Sequence, residues 1–201
     1  MRYAIDGKTP DIDPTAVIAP TAVISGAVTI GPRAHVSFGA VILGDESPVA
    51  VGEQTVIREN VVIRASTRHP VRIGSYVLIG ARSALYGCTI DDEVFLATGV
   101  TIFHGAHVGR GAEVRVNGVV HVNTVIPAGI TVPIGWVAVG DPAEVLPPGE
   151  HERIWAVQEA MDFPATAYGV ERDFEGGVDM REVTGKAVVS RRPHGWQKLE
   201  D

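Results

Sequence analysis

The sequence predicts an all-β solenoid of hexapeptide repeats, and three observations carry that reading. Large aliphatic residues recur at every sixth position, small or β-branched residues follow most of them four places later, and glycine often follows them directly. A period of six matches neither the 3.6 of a helix nor the 2 of an isolated strand. It matches one short strand and one turn per hexad, with three hexads closing a triangular coil.

The aliphatic series runs through Ile18, Ile24, Ile30, Val36 and Ile42, resumes at Val51, Ile57 and Ile63, and resumes again at Ile73, Ile79 and Leu85. After a five-residue step it continues through Ile90, Leu96, Ile102, Val108, Val114, Val120, Ile126 and Val132 to Ala138. Each aliphatic is expected to point inward and stack on its equivalent one coil away, at about the 4.8 Å spacing of paired strands. Small residues such as Ala22, Val28, Ala34, Ala40, Thr55, Ser83 and Ala112 complete the interior. Gly31, Gly52, Gly74, Gly80 and Gly109 are read as corners that need unusual backbone angles.

With coils taken as 51-57-63, 73-79-85, 90-96-102, 108-114-120 and 126-132-138, the register predicts neighbours. The place after the third-face aliphatic holds Arg64, Tyr86, Phe103 and His121, and two places after the second-face aliphatic stand Glu59, Ala81, Thr98 and Val116. Leu43, Arg58 and Gly80 are placed in one further column. Residues 43–50 and 64–72 break the period and are expected to loop outward, with Pro48 and Pro70 at exposed turns.

Composition narrows the function. A chain of 201 residues with 45% apolar content suits one substantial core, and a formal charge of −7 offers no basic stripe for nucleic acid. The opening residues lack the apolar core of a signal peptide and no run approaches a membrane span, so a cytoplasmic protein without membrane association is expected. A single cysteine, Cys88, excludes an internal disulfide and reads as a small buried residue.

The runs "IGPRAHVSFGAVILGD", "VGEQTVIRENVVIRAS", "IGSYVLIGARSALYGCTI" and "VAVGDPAEVL" resemble the gamma-class carbonic anhydrases, across about residues 10–165. The resemblance implies a left-handed parallel β-helix, a homotrimer, and a zinc held between subunits by three histidines. The matching positions here are Arg64, Ala81 and Tyr86. Zinc takes imidazole, thiolate or carboxylate donors, which guanidinium and methyl groups do not replace. No metal cofactor is therefore expected at those positions, and carbonic anhydrase activity by the family's mechanism is not expected. Leu43 stands for a family arginine and Arg58 for a glutamine, Asp45 is retained, and Glu59 replaces an aspartate.

If the subunits assemble as in that family, Arg58, Arg64, Arg82, Tyr86, Asp45 and Glu59 gather at the subunit interface. Two readings stay open there. Either the arginines bridge subunits by pairing with Asp45 and Glu59, Arg58 beside Leu43 taking over the missing arginine's part, or the pocket binds a small anion such as a carboxylate or acyl group, held by Arg64 with Tyr86 as hydrogen-bond donor. Two alternatives differ in class. One is a CoA-dependent hexapeptide-repeat acyltransferase with His104 or His121 as base, to which "AVGDPAEVL" is also similar. The other is a relocated metal site using His104 and His121, with His107 nearby. His35 and His69 read as surface or loop residues.

The expected organisation is a β-helix over 1–146, a C-terminal helix over 147–165 packed on the solenoid, and an extension over 166–201. Ile154, Val157 and Met161, with Trp155 alongside, supply the helix's apolar stripe. Tyr168, Phe174, Trp196 and the run "SRRPHGW" show no clear period, so the extension is left to wrap a neighbour, cover the interface pocket or move.

Overall fold

A computed structural model describes residues 1–172, 177–190, 195 and 197–199. Phe174, Trp196 and most of "SRRPHGW" lie outside the described residues.

Three aliphatic columns form the interior, in the register the spacing predicts. Ile12, Ile30, Val51, Ile73, Ile90, Val108 and Ile126 pair in sequence along one face. Ile18, Val36, Ile57, Ile79, Leu96, Val114 and Val132 form the second. Ile24, Ile42, Ile63, Leu85, Ile102, Val120 and Ala138 form the third. All these pairings are parallel, and from Ile24 to Ala138 every member is buried. Each strand is only two or three residues long in most coils, so backbone pairing between coils, not strand length, holds the stack.

Polar interior positions are satisfied by the neighbouring coil. The Thr55 hydroxyl donates to the Gly74 carbonyl at 2.8 Å, and the Ser83 hydroxyl to the Ala97 carbonyl at 3.1 Å. Cys88 is free and buried among the aliphatics, which pushes its thiol up to about 12 and leaves it unreactive.

Gly31, Gly52, Gly74, Gly80 and Gly109 do not adopt the unusual backbone angles expected of them. Gly80 does not have a left-handed backbone; a Cβ there would stand 2.4 Å from the Ala97 carbonyl carbon of the next coil, so close approach excludes any side chain. The left-handed corner positions fall three places after the aliphatics and are mostly not glycine: Arg33, Gln54, Tyr76 and Glu93 at one corner, Asn60, Arg82 and Asn117 at another. Arg82, one of the predicted site residues, is thus first a corner residue with φ of 60°.

Two further corrections concern the breaks in period. Residues 43–50 do not leave the sheet: Val41–Val51 is one continuous strand that bends round a corner, with the register shift against Val23–Ile30 absorbing the extra residues. Within it Leu43 pairs with Arg64, which places it in the third-face column and not beside Arg58. Of residues 64–72 only the middle turns outward, where Ser66 and His69 close a tight backbone bridge; Arg64 and Val71–Ile73 stay in the sheet.

The last coil is closed by strand Glu144–Leu146, antiparallel to Val137–Val139, and by helix α1, His151–Ala160. Ile154 of α1 packs on Val139 and Leu146, Val157 is half-buried, and Trp155 stays exposed with the Arg172 guanidinium 5.5 Å over its ring. Asp162 then reverses the chain in a left-handed conformation and its carboxylate caps the short helix α2, Phe163–Tyr168. Helix α3 covers Met180–Ser190, and strand Gln197–Lys198 pairs antiparallel with Tyr3 and Ala4. The post-solenoid chain therefore runs back along its own third face, from the last coil to the first. The third face is thus capped at both ends, whereas Val17–Ile18 and Thr131–Val132 remain the outermost strands of the second face.

Candidate functional site

Arg64 and Tyr86 are direct partners on adjacent third-face strands, so their side chains emerge side by side. Phe103 and His121 continue the column. Tyr86 stacks on Phe103 with centroids 6.0 Å apart, and Phe103 meets His121 at 6.3 Å. Phe163 of α2 closes over this ladder, 5.1 Å from Phe103 and 5.7 Å from His121.

The two interruptions of the repeat brace each other beside the column. Glu46 accepts from the Thr67 amide at 3.0 Å and from the Thr67 hydroxyl at 2.9 Å, and stands 3.6 Å from the Arg64 guanidinium. The Ser47 hydroxyl donates to the Thr67 carbonyl at 3.1 Å. This pins the 64–72 turn, and Arg68 at its tip donates to the Ala165 carbonyl of α2 at 2.9 Å.

Between the third face, the turn and helices α2 and α3 lies a cleft of about 1040 Å³. Arg64, Arg68, Tyr86, Phe103, His104 and Lys186 line it. His104 stacks on Tyr86 at 5.9 Å and meets His69 edge-on at 6.0 Å. Burial, and then the positive potential of His69, drives the His104 imidazole down to about 4, so it is neutral near pH 7. Its Nδ1 is buried with no hydrogen-bond partner among the described residues. His69, expected at the surface or in a loop, lies in the Ser66–His69 turn and is half-buried against His104, and burial lowers its pKa as well. His121 is buried beneath Phe163 and does not line the cleft; burial lowers its pKa too.

The six predicted site residues fall in three places within one chain. Arg64 and Tyr86 share the cleft. Arg58 and Glu59 pair with each other at 3.2 Å on the exposed corner, where the Arg82 amide donates to the Glu59 carbonyl at 2.9 Å. Asp45 lies on the bent strand, accepting from the Ser25 hydroxyl at 2.8 Å, while its carbonyl accepts from Lys8 at 3.3 Å. The chain alone does not bring the three groups together.

His107 belongs to another face, where it pairs with Asp91 at 2.9 Å. Among the described residues no group of three or more His, Cys, Asp or Glu side chains is arranged to hold a metal. The hexad register did not single out Arg68, Phe163 or Lys186, because all three lie outside the repeat.

No family model matches the chain. Among curated proteins it is 36% identical to gamma carbonic anhydrase 1, mitochondrial, of Arabidopsis thaliana over 107 residues, which is 50% of this chain and 39% of the relative. It is 31% identical to a carbonic anhydrase of Geobacillus kaustophilus over 109 residues, 54% of this chain and 60% of the relative. The matches thus span less than two thirds of either relative's length. Among solved structures, a putative acetyltransferase of Bacillus cereus superposes with a TM-score of 0.57 at 26% identity, covering 80% of this chain and 91% of that one. Over about half its length the chain is thus similar to gamma carbonic anhydrases, and its fold is the left-handed parallel β-helix of the hexapeptide-repeat proteins.

Proposed function

We propose that this chain is a homotrimeric, zinc-free relative of the gamma carbonic anhydrases whose third-face column binds a small carboxylate or acyl group, and that carbonic anhydrase activity is lost. The observation that carries the reading is the register pair Arg64 and Tyr86, which puts a fixed cation beside a phenol donor in one cleft. Arg64 and Tyr86, with Ala81 across the next corner, stand at the positions the resemblance assigns to zinc ligands. Two lack any donor zinc accepts, and Arg64 carries a positive charge that opposes a cation. A guanidinium suits an anion, which it grips in a planar fork. Neutral His104 against Tyr86 adds a polar group without adding charge.

The test is Arg64→Ala, followed by calorimetric titration with acetate and by mass in solution. The anion reading predicts an unchanged trimer with affinity reduced roughly tenfold, as expected for losing one charge-assisted contact. A dissociated trimer, with acetate binding absent in the parent protein too, supports the other role, a structural bridge between subunits.

A second reading, CoA-dependent acyl transfer, is favoured by one specific observation. His104, not the buried His121, faces the cleft with its imidazole in the neutral form a base requires. The name of the Bacillus cereus structure points the same way. Thermal stabilisation by acetyl-CoA, lost in His104→Gln, is the expected outcome; an unchanged melting temperature with acetyl-CoA counts against it.

A further inference from the structure

The geometry points to a ligand class for this cleft: a monoanion with an aromatic or apolar body, its charge held by Arg68. The inference rests on the anion reading above and sharpens it, and three observations carry it.

The first is size. A cleft of about 1040 Å³ far exceeds what acetate or bicarbonate fills, and it matches the volume in which proteins enclose larger organic molecules. The second is the wall. Tyr86, Phe103, Phe163 and Tyr168 form one chain of ring contacts with centroids 5.1 to 6.0 Å apart. That surface gains most from a flat or apolar partner. The body is supplied with this wall only because α2 folds back over the third face, so the site belongs to a single chain.

The third is charge. Three cations and two carboxylates line the cleft. Glu46 lies 3.6 Å from Arg64, and Glu182 lies 2.7 Å from Lys186, whose ammonium also donates to the Gly169 carbonyl. Arg68 has no carboxylate partner among the described residues; its guanidinium donates to the neutral Ala165 carbonyl and leaves further N–H groups for an acceptor. One positive charge among these lining side chains is therefore unmatched, on the exposed Arg68, while Tyr86, Phe103 and Phe163 are half-buried. A carboxylate at Arg68 and an apolar body against Tyr86 and Phe163 satisfy both.

The experiment titrates the full-length protein with phenylacetate, acetate and benzylamine, then repeats the series on Arg68→Ala, Arg68→Lys and Arg64→Ala. Phenylacetate is expected to bind at least roughly tenfold more tightly than acetate through ring burial, and benzylamine not at all. Arg68→Ala weakens phenylacetate roughly tenfold, and Arg68→Lys restores part of the loss. Arg68 is exposed but also holds α2 through the Ala165 carbonyl, so circular dichroism checks that the variant keeps the parent's helix signal, and Arg68→Lys separates charge from docking. Equal affinity for acetate and phenylacetate, or an Arg68→Ala variant that binds phenylacetate as the parent does, overturns the inference. If acetate binds and Arg64→Ala alone abolishes it, the anion reading survives without this one. If neither anion binds the full-length protein, both fall.

Discussion

In the solenoid, Ile57, Ile79 and Leu96 are fully buried, each stacked on a branched aliphatic side chain in the coils on either side and each flanked by backbone bonds to two neighbouring coils. In the returning segment, α2 and α3 bury Pro164 and Val183, and much of the attachment is polar: Arg68 to Ala165, Lys186 to Gly169. The first region is one cooperative stack whose contacts repeat. The second is docked through few apolar contacts and exposed hydrogen bonds, the properties of low local stability. Yet the rings and cations that make the cleft a site come from both. Stability and function are divided between them, and substitutions should separate the two.

The largest effect is expected in the stack. Ile79→Ala removes a fully buried side chain between two coils and should lower unfolding stability by about 2–5 kcal/mol, with loss of all β signal in one transition under urea. Two transitions would mean that the coils are not one unit.

Ile154→Ala acts at the joint. Its cluster with Val139 and Leu146 is small, so a loss of about 1–2 kcal/mol is expected, read as early release of helix signal while the β signal persists.

His104 carries a pH dependence. In the unfolded chain the imidazole takes up its proton near 6.5, whereas the folded ring refuses it until about 4. The unfolded state thus binds more protons between those values, so stability falls as pH drops through that window and is unaffected above it. Because the ring is only partly buried, the loss is discounted to about 1 kcal/mol. His104→Gln should flatten the difference between urea midpoints at pH 7 and at acid pH; an unchanged difference would assign it elsewhere.

The smallest effect concerns Arg82. Replacing it with glycine relieves a left-handed backbone but frees the unfolded chain, and these nearly offset, so the melting curve should move by less than about 1 kcal/mol. A large loss would show that the Arg82 side chain bridges subunits.

The contrast also explains what was legible in the sequence. The stack was readable because its code is local: a spacing of six states which aliphatics meet, and Arg64 beside Tyr86 follows from the same count. The count failed where a face was misassigned. Leu43 follows the third-face Ile42, not a second-face residue, so it joins Arg64 rather than Arg58; one face of error moves a side chain to a different corner. Glycine was read by its best-known property, free φ, when the close passage of the next coil was the constraint. Arg68, Phe163 and Lys186 carry no period, and their shared cleft depends on a chain reversal at Asp162 that no spacing announces.

The most direct test of the central claim, that a fixed cation has taken the place of a metal at this column, is elemental analysis of the full chain purified without chelator. The account predicts no stoichiometric zinc, iron or cobalt. One metal ion per chain, retained through dialysis and lost in His104→Ala, would contradict it.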